Sequence, residues 1–483
     1  MCGAKAKWWG LFGCALALSA CAVARGGEAG MADLMAQIQA MREAYESRIA
    51  NLETQVKTLT SQRDTAVRET KIQEGIDKAL GSDPDRTPIS ERFFSSASTS
   101  VRSATDMTIG GYTEFTYVDR GDTISRFDQL RTILEFGAQL HENIQFYMEL
   151  EYEHGAVISG PGTTEGELEL EQAWVDFKVL DELVFRAGQI LVPTSRYNLY
   201  HEAWTNNFVD RPLISRRITP TTWWEEGVGF HGQLLDTDAI GIEYEAYLFN
   251  PGRADRISVG GGLRSLRLNG DAPIYDSKKA GAFRVAFEPA RSASWLADHL
   301  EIGIGGYFSG FDGAKGLFDD DGDPNTPDVY YNADAGTVQI WSADLTFERG
   351  DFGFRGEAAM AHAPAGRTVG GEGQQAFGFY TEAYYSFWPS FINSTPFGKD
   401  TYKDPKLVAA VRFDYVDLAL DNFDQRDLRR LTLGLSYRPI PRTVFKFDYQ
   451  MDWSPSTRQG TTLSESGAND ETDAFLFSVA VGF

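Results

Sequence analysis

Apolar and polar residues alternate along most of the chain, from Thr108 to Phe483. In the segment Ile144–Glu153 every second residue is apolar, and all but one of the residues between them carry a carboxylate or an amide. Side chains of a strand point alternately to its two faces, so this pattern predicts a β-strand with one apolar and one polar face. The same period of two occurs in Leu130–Leu140, Phe352–Met360, Leu407–Val416, Leu431–Arg438, Val444–Trp453 and Phe475–Phe483.

We count about sixteen such segments between turns. They begin near Thr108, Gln129, Ile144, Leu168, Leu183, Gly227, Ile240, Ala280, Leu300, Thr337, Phe352, Ala376, Lys406, Asp427, Thr443 and Asp473. Strands of about ten residues with one apolar face are typical of transmembrane β-barrels. We therefore predict an all-β fold over residues 107–483, a 16-stranded antiparallel transmembrane β-barrel.

The connections between these segments alternate between short and long. The short ones are His141–Asn143, Leu180–Glu182, Asp236–Ala239, Arg349–Asp351 and Pro439–Arg442; the long ones are Ala156–Glu167, Leu191–Glu226, Pro251–Lys279, Phe311–Gly336, Ala363–Gln375 and Ser454–Thr472. In bacterial membrane barrels the short turns face the periplasm. Pro389–Pro405 departs from the pattern, because it falls on the short side yet has seventeen residues. An even number of strands leaves both ends of the barrel domain on the periplasmic side.

A soluble all-β protein such as a propeller is the alternative fold. It would show an internal repeat, which this chain lacks, and it would not need aromatic residues at strand ends. Such residues, which would form girdles at the two membrane interfaces, are Phe387, Trp388, Tyr437 and Trp453. The alternating C-terminal segment ends in Phe483 and resembles the assembly signal of bacterial outer-membrane barrels.

The N-terminus has the features of a secretory signal peptide, residues 1–24. Lys5 and Lys7 precede the apolar stretch Trp8–Ala20. Two processing sites are open: Leu18–Cys21 resembles a lipobox that would lipidate Cys21, and Ala22–Ala24 fits an ordinary signal-peptidase site. Cys2, Cys14 and Cys21 are the only cysteines, so the mature chain has no disulfide. Beyond this segment no run of eighteen apolar residues predicts a transmembrane helix.

A heptad pattern follows the signal segment. Apolar residues of Met31–Thr60 recur at intervals of three and four residues, with one stutter between Met41 and Ile49. We predict a periplasmic coiled-coil helix over residues 31–80; an amphipathic helix packed on the barrel is the alternative. The Ser, Pro and Asp content of Gly81–Arg102 predicts a linker over residues 81–106 without regular structure.

The segment Leu191–Glu226 shows neither strand alternation nor a helical stripe. It joins the fifth and sixth predicted strands and is therefore the third connection on the side of the long connections. It carries many aromatic residues, among them Trp204, Phe208 and Trp223, which a solvated linker would not need. Connections of this length without secondary structure are uncommon in compact domains and are usually functional. A barrel of sixteen strands leaves a water-filled lumen, so we expect this segment to fold onto the barrel, either inside the lumen or over its rim.

Inward positions of the predicted strands carry charges of both signs, which a dry interior would not tolerate. The predicted pore-wall cations are Arg131, Arg186, Arg284, Arg355, Arg412 and Lys446. Glu114, Glu135, Glu149, Glu151 and Asp176 are among the inward carboxylates. Many of these residues could simply form ion pairs that stiffen the wall.

The part Gly188–Gly232 resembles the phosphate-selective porin O/P family. It has a G-Q-x-x-x-P strand end at Gly188, Gln189 and Pro193, an arginine-bearing loop, and the sequence GVGFHG at residues 227–232. The resemblance spans roughly Thr108–Phe483 and implies sixteen-stranded trimers that pass small anions; some members carry a periplasmic coiled coil. The tandem arginine ladder and lysine-rich vestibule of the true phosphate channels are not evident, so phosphate specificity is not implied.

The third long connection is the predicted pore constriction. Its arginines are Arg196, Arg211, Arg216 and Arg217, and its opposing acids are Glu202, Asp210 and Glu225. Either salt bridges among them lock the loop, or the opposed charges create a transverse field across the pore. In an extended segment Arg216 and Arg217 would point in opposite directions, so that at most one of them would reach the lumen.

We therefore predict an outer-membrane porin for passive diffusion of small hydrophilic solutes, with a mild preference for anions such as phosphate or carboxylates. A homotrimer among outer-membrane lipids and lipopolysaccharide is expected. The alternatives are a tether to the cell wall through the coiled coil and a scaffold that threads a partner protein through the lumen. The formal net charge of −24 argues against nucleic acid as a partner.

Signals for catalysis or cofactors are few. The six histidines have no metal-ligand spacing, and no nucleophile elbow or phosphate loop is found, so we predict no enzyme and no cofactor. One long connection contains closely spaced oxygen ligands around a glycine, a pattern that calcium loops use. The candidate calcium ligands are Asp319, Asp321, Asp323, Asn325 and Asp328. A solvated acidic loop tip is the alternative.

Overall fold

The computed structural model describes Gln39 and residues 99–102, 106–120, 125–155, 166–252, 263, 278–289, 291, 299–311, 314–318, 329–333, 336–363, 374–418, 427–453 and 471–483. The chain divides into two units, Met1–Asp77 and Lys78–Phe483. In the first unit only Gln39 is described, and it is helical. The predicted signal peptide, the coiled coil and most of the linker lie outside the described residues, so the fold below is that of the second unit.

Sixteen strands of the second unit close into one antiparallel barrel. In chain order the described strands are β1 (Thr99–Arg102), β2 (Asp106–Asp119), β3 (Arg126–His141), β4 (Ile144–Glu153), β5 (Glu167–Leu180), β6 (Leu183–Leu191), β7 (Trp224–Asp236), β8 (Gly241–Phe249), β9 (Ala280–Glu288), β10 (His299–Phe311), β11 (Ala314–Phe318), β12 (Val329–Ala333), β13 (Gly336–Arg349), β14 (Phe352–Ala363), β15 (Gln374–Phe387), β16 (Lys406–Asp417), β17 (Asp427–Ile440), β18 (Thr443–Trp453) and β19 (Glu471–Gly482). The barrel consists of β2 to β10 and β13 to β19, each paired with its neighbours, and β19 closes it by pairing with β2. The predicted 16-stranded antiparallel barrel is confirmed, with strand starts within three residues of those expected.

The two faces of the sheet differ in polarity. Tyr147, Glu149 and Glu151 of β4 are buried inside the barrel, whereas the apolar side chains of Leu134 and Leu168 on adjacent strands are exposed on the outside. A soluble protein shows the opposite arrangement, with its apolar residues inside. Polar-in and apolar-out alternation is typical of barrels whose outer surface faces lipid.

The connections differ in length at the two ends of the barrel. Short turns such as 142–143, 181–182, 350–351 and 441–442 lie at one end, and 192–223 and 250–279 are among the connections at the other. The connection 388–405 lies at the short end, as its position in the sequence predicts. It is longer because it folds into a compact structure: a 3₁₀ turn covers Ser390–Ile392, and the Tyr437 hydroxyl donates to the Phe397 carbonyl at 2.6 Å.

The prediction that the linker has no regular structure is wrong for residues 99–102. Thr99–Arg102 forms β1, which pairs with β2 so that Thr99 lies opposite Ile109 and Arg102 opposite Asp106. On that side of β2 the last strand of the barrel ends at Gly482, opposite Tyr112. The backbone groups of β2 beyond this point would lack partners, and β1 supplies them.

Two short helices occur in the connection between β6 and β7: α1 (Arg196–Leu199) and α2 (Leu213–Arg217). Among the described residues no helix is long and apolar enough to cross a membrane.

Candidate functional site

Residues 192–223, which we call the lumenal loop, lie inside the barrel. Val192, Ile214 and Trp223 are completely buried, although connections usually run over a protein's surface. The contacts described below join the loop to inward-facing side chains of β2, β10 and β14 to β18. The segment that the sequence singled out therefore folds into the lumen and not over its rim.

Asn198 closes the base of the lumenal loop. Its side-chain amide donates to the carbonyl oxygens of Val192 (2.9 Å) and Trp223 (2.8 Å), and its side-chain oxygen accepts from the Trp223 N–H at 2.8 Å. Ser195 caps α1 by accepting from the Asn198 N–H at 3.1 Å. One buried amide thus holds together the two ends of the loop where they leave β6 and β7.

Aromatic side chains anchor the loop to the wall. Trp204 packs edge-on against Tyr112 of β2, and Trp223 packs against Tyr307 of β10, each with ring centroids 4.5 Å apart. Phe208 lies against Gly434 of β17, where a Cβ atom would come within 2.7 Å of the ring. The aromatic content of this segment therefore serves packing, as its composition predicted.

Four cations on the barrel wall formed by β14 to β18, which we call the basic wall, donate hydrogen bonds to backbone carbonyls of the loop. They are Arg355 of β14, Arg412 of β16, Arg438 of β17 and Lys446 of β18. Arg355 donates to Thr205 (3.0 Å), Arg412 to Asp210 (3.0 Å) and Arg211 (3.4 Å), Arg438 to Trp204 and Asn206 (the latter 3.0 Å), and Lys446 to Phe208 (3.0 Å). An irregular buried segment cannot pair its carbonyls in a sheet or helix, so side chains must do so.

Carboxylates on β14, β15, β16 and β18 hold N–H groups of the loop. Glu357 accepts from the Tyr197 N–H (3.2 Å), Asp414 from the Leu213 N–H (3.0 Å), Asp448 from the Val209 N–H (2.6 Å), and Glu382 from the side-chain amide of Asn207 (2.7 Å). The wall of β14 to β18 therefore offers donors and acceptors that match the loop backbone. Sequence reasoning predicted several of these side chains to face inward but did not identify their role.

The four predicted loop arginines differ in exposure. Arg196 is buried, with its guanidinium carbon 4.7 Å from the Tyr200 ring centroid. Arg211 is partly exposed and donates to the Thr221 carbonyl and, at 3.2 Å, to the Thr222 hydroxyl. Arg216 and Arg217 are both partly exposed. The expectation that they point in opposite directions assumed an extended chain, and this assumption is wrong because both residues belong to α2.

Of the three acidic residues predicted to oppose these arginines, the described hydrogen bonds join only Asp210 to one of them. Asp210 is buried and accepts from Arg120 (2.7 Å), Arg216 (3.0 Å) and Arg430 (3.4 Å). Burial alone would raise the pKa of Asp210, but these guanidinium groups lower it well below its usual value. The locking interpretation therefore holds for this residue.

Glu225 and Glu202 lie elsewhere. Glu225 belongs to β7, is fully buried and accepts from the Trp223 indole N–H at 3.1 Å, so the prediction that it opposes the loop arginines is wrong. Nothing in the sequence around Glu225 predicted that its side chain would contact Trp223. Glu202 is partly exposed, and burial raises its pKa.

All six predicted pore-wall cations face inward and are buried. Three belong to the basic wall: Arg355, Arg412 and Lys446. The others form ion pairs within the sheet: Arg131 with Glu114 (3.0 Å), Arg186 with Asp176 (2.7 Å), and Arg284 with Asp344 (2.7 Å) and Glu301 (2.9 Å). Their structural contacts agree with the wall-stiffening interpretation.

A second wall, which we call the acidic wall, faces the loop from β4 and β5. It consists of Glu149, Glu151, Glu169 and Glu171, all buried except Glu169, which is partly buried. Sequence reasoning found Glu149 and Glu151 but missed the glutamates of β5. The signal was the alternation ELELE at residues 167–171, which places a stripe of carboxylates beside the one on β4.

The predicted calcium ligands Asp319, Asp321, Asp323, Asn325 and Asp328 lie outside the described residues. The flanking strands β11 and β12 pair as a hairpin in which Phe318 lies opposite Val329. The calcium site stays a prediction.

Comparison with known proteins shows a shared fold. No family model matches the chain. An uncharacterised protein of Aquifex aeolicus is 29% identical over 364 residues, which cover 71% of this chain and 75% of that protein. Among solved structures, the trimer form of OmpT, an outer membrane protein of Vibrio cholerae, has a TM-score of 0.50 and 11% identity, and the match covers 79% of this chain and 100% of that chain. An anion-selective porin from Comamonas acidovorans gives a TM-score of 0.48 and 12% identity over 78% of this chain and 100% of that chain. At these identities the likeness concerns the fold alone, and the resemblance to the phosphate-selective porin O/P family stays a prediction.

Proposed function

We propose that this protein is a porin of a bacterial outer membrane that lets small hydrophilic solutes diffuse passively. The observation that carries this proposal is the closed barrel of sixteen strands with an apolar exterior and a charged interior. A barrel of this size encloses more space than its own side chains fill. The lumenal loop narrows that space, and transport needs neither covalent chemistry nor an energy source.

A mild preference for anions such as phosphate or carboxylates follows from the loop's accessible charges. Arg211, Arg216 and Arg217 are partly exposed, whereas Asp210 and Glu225 are buried; Glu202 is the accessible acid among the predicted residues. Arginine stays charged at all working pH values and binds oxyanions through two N–H groups. The accessible excess of positive charge favours anions, although its geometry supports no specific phosphate site.

We further propose a homotrimer in the outer membrane, with residues 31–80 as a periplasmic coiled coil. The support is the heptad pattern of that segment and the fold shared with OmpT of Vibrio cholerae, which is known in a trimer form. Native mass spectrometry of the detergent-solubilised protein should give three chains per particle; a monomer would contradict the proposal.

Planar-bilayer recordings test the porin and its selectivity separately. The wild-type protein should give stepwise conductance. Arg216→Gln and Arg217→Gln should each lower the anion-to-cation permeability ratio by a factor of about two to three. A unit charge about 7 Å from the solute path contributes about 0.6 kcal/mol in water, which screening near 0.1 M salt reduces to about half, and it acts on anions and cations with opposite sign. The recordings should use a gradient near 0.1 M salt, where screening is moderate.

The matched control is Arg349→Gln, an exposed arginine at the short end of the barrel, which should leave the ratio unchanged. Absence of conductance steps in the wild type would refute the porin. Unchanged reversal potentials in both loop variants would refute the anion preference alone.

A further inference from the structure

Three glutamates of the acidic wall converge on one point. Glu151, Glu169 and Glu171 each place a carboxylate oxygen within 4.8 Å of the others. A β-bulge in β5 contributes to this, because Leu150 pairs with Leu170 while Glu149 pairs with Gln172, which leaves Glu171 as an extra residue. Bulges redirect side chains in this way, and here Glu171 and Gln172 are both buried.

Two carboxylates of this cluster, Glu151 and Glu171, have buried oxygen atoms that accept no hydrogen bond from the described residues. Glu151 is 1% exposed and Glu171 is 0% exposed. Within the described part of the chain, neither oxygen of Glu171 nor the Oε1 atom of Glu151 accepts a hydrogen bond. The Arg131 guanidinium is 3.6 Å from Glu151 but is shared with Glu114 at 3.0 Å. Three neighbouring carboxylates with one shared guanidinium nearby are costly where two of them are buried, so the cluster needs a further cation or protons.

His201 of the lumenal loop points an imidazole nitrogen at the same cluster. Its Nδ1 atom is 2.8 Å from the Asn198 carbonyl oxygen, which can only accept, so Nδ1 carries a proton. In the neutral ring Nε2 then has a lone pair. This atom is 3.4 Å from Glu171 Oε2, and it makes no hydrogen bond to any residue that the structure describes. Two lone pairs that face each other in a buried place are stabilised by a cation between them.

We propose that a divalent metal ion binds between the acidic wall and the lumenal loop, with Glu171 and His201 as its ligands and the adjacent carboxylates of Glu151 and Glu169 as the source of the remaining ones. Oxygen and imidazole donors together suit metals such as Zn²⁺ or Mn²⁺. Two ligands of a tetrahedral zinc ion, with bonds of about 2.0–2.1 Å, lie about 3.3 Å apart, close to the separation of His201 Nε2 and Glu171 Oε2. The metal joins the loop to the acidic wall, opposite the side where the basic wall holds it. This site shares no ligand with the predicted calcium site.

Metal titration of the full-length protein in detergent tests the site. The protein is stripped with EDTA, dialysed, and titrated with Zn²⁺ and then Mn²⁺ in a calorimeter; bound metal per chain is measured by plasma mass spectrometry. The wild type should bind Zn²⁺ with micromolar or tighter affinity. Glu171→Gln and His201→Phe should each weaken this binding at least tenfold, and Zn²⁺ should raise the melting temperature of the wild type but not of Glu171→Gln, because a ligand stabilises only the state that binds it.

The matched control is Glu245→Gln, which alters a buried glutamate of β8 that accepts from Tyr247; its zinc affinity should equal that of the wild type. Glu288, His299 and Glu301 form a second group of potential ligands that could also bind zinc. The decisive quantity is therefore the difference in zinc affinity between the wild type and Glu171→Gln. If Glu171→Gln does not fold, Glu169→Gln replaces it. Wild-type binding no tighter than millimolar, or equal affinity in wild type and variants, would mean that protons alone neutralise the cluster and would overturn the proposal.

Discussion

The two walls that face the lumenal loop differ in the partners of their buried charges. On the basic wall each cation meets a carbonyl or a carboxylate: Arg412 alone contacts Asp414 and two loop carbonyls. On the acidic wall Glu149 accepts from the Gln172 amide at 2.6 Å, but Glu151, Glu169 and Glu171 lie against one another, and Glu171 faces the Nε2 atom of His201. The contrast shows that burial of charge is not in itself stabilising. Buried charge is tolerated where the wall supplies a partner with suitable geometry, and elsewhere it has to be neutralised by a cation or a proton.

The largest effect is expected from breaking the basic wall. Arg412→Ala removes a side chain that is 1% exposed and leaves Asp414 and two backbone carbonyls without their partner. The free energy of unfolding should fall by about 3–5 kcal/mol, because a buried charge loses its counter-charge. Guanidinium unfolding followed by tryptophan fluorescence measures this loss.

The control for this variant is Arg429→Ala on the adjacent strand β17, whose ion pair with Asp427 (2.9 Å) is partly exposed to solvent. It should cost at most about 1 kcal/mol. Equal losses in Arg412→Ala and Arg429→Ala would contradict the role assigned to the basic wall.

A smaller effect is expected where the loop approaches the wall most closely. Gly434→Ala places a methyl group 2.7 Å from the Phe208 ring, which is itself buried. Overpacking of this kind should destabilise the protein by about 1–3 kcal/mol. Gly281→Ala, where the nearest atoms are 4.0 Å away, should change stability by about 0.5 kcal/mol or less. The same unfolding assay measures both variants. An unchanged free energy of unfolding in Gly434→Ala would contradict the close contact between Phe208 and β17.

The smallest effect should have the opposite sign. In EDTA, Glu171→Gln should stabilise the protein by about 1 kcal/mol, since it removes one of several adjacent buried carboxylates and adds an N–H donor. In saturating Zn²⁺ the ranking should reverse, with the wild type more stable. Destabilisation by Glu171→Gln in EDTA would show that the glutamates of the acidic wall already have adequate partners.

The sequence predicts the barrel well because its information is local. The period of two in Ile144–Glu153 and in the other segments fixes which residues face inward, and turn lengths fix the two ends. The contacts of the loop could not be predicted, because they join residues far apart in sequence, such as Arg355 with Thr205 and Lys446 with Phe208. Which residues meet depends on the closure of the barrel and on the path of a segment without periodicity.

Local irregularities explain the remaining differences. The bulge at Glu171 shifts the alternation of β5 by one residue, so that a strict period of two counted back from the inward Asp176 would turn the glutamates of β5 outward. The helix α2 turns Arg216 and Arg217 away from the geometry of an extended chain. His201 has no partner at metal-ligand spacing in the sequence, and only the folded loop brings it to Glu171.

The most direct test of the account is the single-channel conductance of a variant in which a short Gly-Ser linker replaces residues 195–219. The barrel strands β6 and β7 stay joined, while the part of the loop that occupies the lumen is removed. If the loop narrows the solute path, conductance in 1 M KCl should rise at least about twofold over the wild type, because a wider aqueous path carries more current. Channels of unchanged conductance would show that the loop does not limit the path and would contradict the central claim.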